Sequence, residues 1–209
     1  MISPWPALYL DTETSDYHEA HSPSLPVQIA AILATESRTI ATVSCILNQR
    51  QWQGIRINPI ADRVVNIHGI TPDIADTYGW PPDLAIGRLR HMLNKAASVV
   101  AHNIEFDLSV MDHACGVQKI PRLCWPERFC TMRESAGVLR IPSGGRYSIG
   151  GWKAPKLTEA YRWFAKKEMV SNHDALHDVF ACRLVHRGIL RHRENLLKTD
   201  ESATIPSGE

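Results

Sequence analysis

The stretch ALYLDTET at residues 7–14 joins a short apolar run to two closely spaced acidic residues. The uninterrupted apolar sequence at 7–10 is typical of a strand covered on both faces of a sheet. Asp11 and Glu13 follow directly, so we expect both at the end of that strand. Alternate strand residues project from the same face, about 7 Å apart, so these two carboxylates can serve one site while Thr12 points away. A solvated strand end is the simpler alternative for this motif taken alone.

The rest of the chain predicts an alternation of strands and helices. Three further strands are expected to continue the first as an antiparallel meander, at residues 27–33, 39–47 and 52–57. Asn58 and Pro59 favour the start of a short helix over 60–67. The remaining predicted segments are a turn and short helix in HGITPDIA (68–75), helices at 82–95, 104–115, 131–139, 157–167 and 175–191, a strand at 98–101 and an irregular loop at 140–156.

A third carboxylate, Asp107, lies in the segment AHNIEFD at 101–107. Asn103 is expected to cap the helix that follows the strand at 98–101, and Gly116 to mark the end of that helix. This places Asp107 in the first turns of the helix. A favourable interaction with the helix dipole is an equally good reason for an acid there.

The segment HDALHDV at 173–179 supplies a histidine and a fourth carboxylate. Asp174 can cap the last long helix, which puts His173 just outside that helix and Asp178 one turn inside it. A histidine on an approach loop suits a general base that takes a proton near neutral pH. His177 is the alternative base, but it lies within the helix and points about 100° away. Asp174 is also a possible ligand, although capping explains it more simply.

Together these residue types are typical of phosphodiester hydrolysis assisted by divalent ions. Two ions about 3.5 to 4 Å apart can stabilise both the attacking and the leaving oxygen, and they need several anionic ligands. A carboxylate cluster beside one histidine suits two Mg²⁺ or Mn²⁺ ions better than zinc. A zinc site could recruit His113, Cys115, Cys124 and Cys130, but their spacing matches no common finger.

Composition sets limits on the class of protein. A length of 209 residues with 44% hydrophobic residues predicts one core. The net charge of +1 excludes strong steering toward nucleic acid by the whole molecule but permits a local basic face. Five cysteines without CxxC spacing indicate reduced thiols. The N-terminus has no charged leader and the chain has no run of 18 apolar residues, so we expect a cytoplasmic protein without membrane contact.

The three motifs DTET, HNIEFD and HDALHD resemble those of the DEDDh 3′-to-5′ exonucleases, a family that includes polymerase proofreading subunits and RNase T. The resemblance spans residues 8 to about 185. It implies an α/β, RNase H-like fold with a mixed five-stranded sheet flanked by helices. It also implies a single exonuclease domain over 1–197, followed by a flexible tail at 198–209, and a two-metal mechanism that releases nucleoside 5′-monophosphates.

The resemblance also implies roles for individual residues. Asp11, Glu13, Asp107 and Asp178 would be the metal ligands and His173 the general base, since His173 to Asp178 fits the pattern HxAxxD. The residues that would contact the terminal nucleotide are Thr14, Ile67, His68, Asn103 and Phe106. Capping and core packing are equally good reasons for the last two. Many relatives read DTETTG where this chain reads DTETSD, so Ser15 and Asp16 alter the local turn.

Three functions fit these observations. The first is a 3′-to-5′ exonuclease acting on single-stranded or frayed 3′ ends of DNA, either freestanding or with a polymerase partner. The second is an RNase T-like or oligoribonuclease-like enzyme acting on RNA. A non-catalytic nucleic-acid-binding module is disfavoured because no expected ligand is missing. The aromatic and basic residues of the 140–156 loop could bind the strand further from its end, or could form a solvated loop: Arg146, Tyr147, Trp152, Lys153 and Lys156.

Overall fold

A computed structural model describes residues 5–17, 24–53, 60–145, 147–170 and 173–203, with side chains up to Thr199. The main sheet has five strands in the order β3-β2-β1-β4-β5, with β1, β2 and β3 antiparallel and β4 and β5 parallel to β1. This mixed sheet with flanking helices is the expected RNase H-like arrangement. The elements are β1 (Ala7–Thr14), β2 (Pro26–Ala34), β3 (Thr39–Ile46), α1 (Asp62–His68), α2 (Pro72–Tyr78), α3 (Pro82–Leu93), β4 (Ser98–Ala101), α4 (Ile104–Val117), β5 (Glu127–Cys130), α5 (Thr131–Leu139), β6 (Ser148–Ile149), β7 (Trp152–Lys153), α6 (Leu157–Ala165) and α7 (Ala175–Ala203).

Two apolar layers cover the central strands, as the uninterrupted apolar run in β1 predicts. Leu8 and Leu10 face one layer, which includes Leu89 of α3 and Met111 of α4. Tyr9 faces the other layer, which includes Val179 of α7. A fully buried side chain of this size contributes about 2 kcal/mol. Strand β1 is therefore held firmly between helices, and its acidic end has a fixed position.

Helix α7 is tied to β1 by a buried polar contact as well as by apolar packing. The Tyr9 hydroxyl is hydrogen-bonded to Nδ1 of His186, at 2.9 Å. Trp5 and Phe129 surround the same imidazole, with ring centroids 5.6 and 4.4 Å away. Burial lowers the pKa of His186 to about 4, so this ring is neutral near pH 7. The link fixes α7 across the strand that carries Asp11 and Glu13.

The prediction for residues 52–67 was wrong in its details. Trp52 and Gln53 follow a short 3-10 turn at Gln49–Gln51 and belong to no strand, while 54–59 lie outside the described residues. Helix α1 begins at Asp62, with Ala61 at the N-cap position. The proposed start at Asn58-Pro59 therefore does not apply to this helix.

The second half of the chain also contains strands that the sequence analysis missed. Strand β5 occupies the end of the expected connection before α5, and β6 and β7 form a hairpin within the expected 140–156 loop. Helix α4 passes Gly116 and ends at Val117. Helix α7 continues to Ala203, beyond the expected end near Arg191 and into the segment expected to be a tail.

Candidate active site

The two acids of the first motif lie where they were expected, at the carboxyl end of β1. Asp11 and Glu13 are half-buried and share the face of the sheet on which Tyr9 packs against α7. Thr12 lies on the opposite face of the sheet, but it also contributes to the site. Its Oγ1 donates a hydrogen bond of 2.9 Å to Oδ1 of Asp107. A strand residue that the sequence analysis set aside thus orients the third carboxylate.

Asp107 reaches the site because β4 runs parallel to β1 and α4 starts immediately after β4. The carboxylate is almost completely buried, with 2% of its surface exposed. Asn103 was predicted to cap this helix with its side chain, and that part of the prediction was wrong. Asn103 holds the N-cap position, but with φ of 69° its side chain makes no capping hydrogen bond. The left-handed conformation, which Asn tolerates, produces the sharp turn from strand to helix.

The start of α7 brings the third motif to the same place. Asp174 caps the helix as predicted, since its Oδ1 accepts a hydrogen bond of 3.1 Å from the backbone N–H of His177. Donor atoms of Glu13, His173 and Asp178 lie within 4.8 Å of one another. His173 is exposed, whereas only 15% of the Asp178 side chain is exposed. His177 Nδ1 lies 3.8 Å from Asp178 Oδ1, but His177 is not part of the group that includes Glu13.

Burial raises the pKa of all four carboxylates, and repulsion from the other acids of the cluster adds to the effect at Asp11 and Glu13. Burial, reinforced by the charges of Asp107, Asp178 and Glu13, raises the pKa of Asp11 well above its ordinary value. Burial and then the charge of Asp178 raise the pKa of Glu13 to about 8. Burial raises the pKa of Asp107 to about 7, although the hydrogen bond from Thr12 opposes the rise. Burial also raises the pKa of Asp178, against the opposing effect of His173.

The donor atoms fit hard divalent cations. The four acids would ionise at lower pH beside a bound cation, because a cation reverses the repulsion that raises their pKa values. Oδ1 of Asp178 is buried and has no hydrogen-bond partner, as expected for an atom reserved for a ligand. Oxygen donors with a single imidazole suit Mg²⁺ or Mn²⁺. Across residues 5–203, apart from the gaps given above, no other group of acids, histidines or cysteines is placed to hold an ion.

Two of the residues expected at the terminal nucleotide are joined to each other beside this cluster. Nδ1 of His68 accepts a hydrogen bond of 3.0 Å from the Ile70 N–H, so Nε2 carries the proton and donates to the Thr14 carbonyl at 3.3 Å. His173 is close enough to His68 for its charge to contribute to a lowered pKa of His68, after the larger effect of burial. Ile67 is exposed on the same helix.

The other two residues expected there, Asn103 and Phe106, are exposed and half-buried respectively. Both lie at the start of α4, one turn or less before Asp107. Their contacts with a nucleotide stay a prediction.

The departure DTETSD has a structural role of its own. Ser15 is buried and its Oγ accepts a hydrogen bond from the Leu25 N–H at 3.2 Å. Asp16 forms a two-pronged ion pair with Arg63 of α1, with both hydrogen bonds at 2.6 Å. The Arg63 guanidinium also lies over the Tyr17 ring, 5.0 Å from its centroid. These contacts connect the end of β1 to α1 next to His68.

The hairpin in the 140–156 segment presents a mixed surface. Tyr147 is 73% exposed, whereas Lys153 is paired with Glu159 at 2.5 Å and is mostly covered. Lys156 supplies the N-cap of α6, and Arg146 lies outside the described residues. A residue that the sequence analysis missed anchors this segment, since His102 Nε2 lies 2.9 Å from the Pro155 carbonyl.

Comparisons with known proteins agree with this fold. A family model described as Exonuclease (RNase_T) matches residues 8–185. The chain belongs to this exonuclease family, which confirms the recognition made from the three motifs. No curated protein sequence matches the chain.

Several solved structures share the fold. Exonuclease X in complex with 5′ overhanging duplex DNA has 19% identity and a TM-score of 0.60, with 90% of this chain and 93% of that chain covered. Escherichia coli exonuclease I in complex with a dT13 oligonucleotide has 19% identity and a TM-score of 0.71, with 92% and 42% covered. Exonuclease I from Methylocaldum szegediense has 22% identity and a TM-score of 0.60, with 90% and 41% covered. The chain thus spans about two fifths of exonuclease I. No helix in the described part of the chain is long and apolar enough to cross a membrane.

Proposed function

We propose that this protein is a metal-dependent 3′-to-5′ exonuclease that releases nucleoside 5′-monophosphates from the 3′ ends of DNA. One observation carries the proposal: donor atoms of Glu13, His173 and Asp178 lie within 4.8 Å of one another, and the charges of Asp107, Asp178 and Glu13 are near enough to Asp11 to raise its pKa. Such a cluster is costly for a folded protein unless a cation binds it. Family membership independently indicates exonuclease chemistry.

Each residue of the cluster has a distinct part in the proposal. Asp11, Glu13, Asp107 and Asp178 would hold two Mg²⁺ or Mn²⁺ ions. When bound, the ions would offset the negative charge that develops on the phosphodiester during cleavage. His173 would take the proton from the attacking water, because it is the exposed histidine whose ring lies beside two of the carboxylates.

The 3′ end of the nucleic acid would bind next to the cluster, where β1 and α1 meet. The link between His68 and Thr14 forms a fixed edge there, and Ile67 provides an exposed apolar side chain that a base can contact. Asn103 and Phe106 would lie on the other side, at the start of α4.

DNA is favoured over RNA by the DNA complexes of exonuclease X and exonuclease I. The oligonucleotide bound by exonuclease I fits a site for a single-stranded 3′ end, whereas the 5′ overhang in the exonuclease X complex leaves a paired 3′ end that would have to fray to enter such a site.

The test is a time course on gels with matched DNA and RNA oligomers, single- and double-stranded, labelled at the 5′ end. We expect a ladder that shortens from the 3′ end with Mg²⁺ or Mn²⁺, no cleavage with EDTA, and mononucleotides as the product. An Asp178→Asn variant controls for contaminating nucleases. Faster cleavage of RNA would replace DNA by RNA as the substrate, and internal cuts or cleavage from the 5′ end would overturn the proposal.

A further inference from the structure

Gln28 is a polar side chain inside β2, a strand of the sheet that is buried along its whole length. Every residue of β2 is buried, and Gln28 is only 7% exposed. A buried amide destabilises the folded state unless its donor and acceptor are both satisfied. The effect of Gln28 on stability therefore depends on the partners of its amide.

Both ends of the Gln28 amide contact the first residues of α7. Nε2 donates a hydrogen bond of 3.2 Å to Oδ2 of Asp174, and Oε1 accepts a hydrogen bond of 3.2 Å from the backbone N–H of Ala175. The other Asp174 oxygen caps the helix through His177. The side chain of Gln28 therefore fixes the residue at which α7 begins.

The contact between Gln28 and the start of α7 lies beside the acidic cluster. Gln28 is paired with Glu13 in the register between β1 and β2. His173 directly precedes Asp174 and has φ of 46°, which a histidine keeps only where its surroundings hold it. The Asp178 N–H donates to the Asp174 carbonyl at 3.0 Å. One side chain on β2 thus sets the distance between the acid on β1 and the two groups on α7.

We propose that Gln28 is a positioning residue that acts through Asp174 to hold His173 and Asp178 against Glu13. The inference rests on the proposed function, because it concerns the same cluster. Only an amide satisfies both partners: the carboxylate of Asp174 needs a donor and the Ala175 N–H needs an acceptor. Leucine at position 28 would supply neither, and glutamate would supply no donor.

A double-mutant cycle tests the polarity of the contact. Gln28→Glu places a carboxylate against the carboxylate of Asp174. Asp174→Asn replaces the acceptor oxygen that faces the Gln28 side-chain NH2 group by a second NH2 donor. The double variant reverses the hydrogen bond, since the amide of the new asparagine can donate to the new glutamate, which still accepts from Ala175. The double variant also has the same net charge as the wild type. Comparing the single variants with the double variant therefore distinguishes repulsion by an added charge from loss of the hydrogen bond.

The matched control is Gln49→Glu. Gln49 is also buried, at 4% exposure, and its Nε2 donates to the backbone carbonyls of Pro26 and Leu47 at 3.1 and 2.9 Å. The same chemical change at position 49 should lower the melting temperature as Gln28→Glu does. It should leave kcat per folded molecule within about 3-fold of the wild type, since Gln49 has no bond to α7.

The first readout is turnover on single-stranded DNA with saturating Mg²⁺. We expect kcat to fall about 10²-fold in Gln28→Glu, the usual scale when catalytic groups are displaced by about 1 Å. The double variant should recover to within about 5-fold of the wild type. If Gln28→Glu keeps the kcat of the control, or if the double variant is no better than the single variants, Gln28 is only a buried core residue.

The second readout uses metal-free protein and needs no activity. Hydrogen exchange of the amides at 175–178, followed in EDTA, should be faster in Gln28→Glu, return to the wild-type rate in the double variant, and stay unchanged in the Gln49 control. Equal exchange in all four proteins would overturn the inference. A wild-type protein without nuclease activity would instead refute the proposed function, while exchange would still decide whether Gln28 anchors α7.

Discussion

The metal-free protein should become more stable when one of its buried acids is neutralised. In Asp107→Asn the amide oxygen can still accept the hydrogen bond from Thr12, while the buried charge is removed. Burial raises the pKa of Asp107 from 3.8 to about 7, and that difference corresponds to about 4 kcal/mol of folding free energy. Because Asp11 and Glu13 remain, we expect Asp107→Asn to recover about 2 to 4 kcal/mol at pH 8.

The direction of the pH dependence follows from the raised pKa. Folding favours the protonated form of Asp107, so its full contribution to stability is present below about pH 4. That contribution decreases as the pH rises from about 4 to 7, and it is absent at pH 8. The gain from Asp107→Asn should accordingly be less than half as large at pH 5 as at pH 8. In saturating Mg²⁺ the wild type should be more stable than Asp107→Asn, because the wild type binds the ions more tightly.

Urea unfolding in EDTA at pH 5 and pH 8 measures this effect. Glu105→Gln is the matched control, since Glu105 is in the same first turn of α4 but is exposed, with its carboxylate 3.7 Å from the guanidinium of Arg128. A helix-dipole effect would act on both acids alike, and the control should change stability by less than about 0.5 kcal/mol. The reasoning is refuted if Asp107→Asn is less stable than the wild type at pH 8 in EDTA.

Three further predictions concern the site and its supporting helix. Asp178→Asn should abolish mononucleotide release while leaving the melting temperature in EDTA unchanged or raised, and measurable turnover would remove Asp178 from the site. His173→Ala should lower kcat by about 10² to 10⁴ with little change in Mn²⁺ affinity by calorimetry, and a larger loss in His177→Ala would move the general base to His177. Gly188→Ala should lower the free energy of unfolding by about 1 kcal/mol, since an added Cβ would lie 2.7 Å from a side chain of α6. Gly137→Ala, where no atom lies within 4 Å, should be stabilising by contrast.

Local sequence was sufficient for the parts of the site that depend on periodicity. The apolar run of β1 ends at Asp11, and the helical spacing around Asp178 places it one turn after the Asp174 cap. Both features arise within a few residues, so they can be recognised without tertiary information. The order of the three motifs then supplied the family and, with it, the sheet.

Contacts between distant segments could not be predicted in this way. Gln28 occurs in an apolar strand and its partners are almost 150 positions later, so only the folded chain shows its purpose. Strand β5 has four residues and is half exposed, and parallel pairing with β4 defines it rather than its own sequence. Thr12 points away from Asp11 and Glu13 as expected, but its hydrogen bond to Asp107 joins residues 95 positions apart and could not be predicted from local sequence.

The distance along the chain between the first and last acids affects when the protein could begin to cut. Asp11 is made early, whereas His173 and Asp178 arrive only with α7, more than 160 residues later. A growing polypeptide therefore carries at most three of the four acids, without the histidine, until residue 173 is made. Proteolytic cleavage before residue 173 would have the same effect, because the proposed base and the last carboxylate would be lost together.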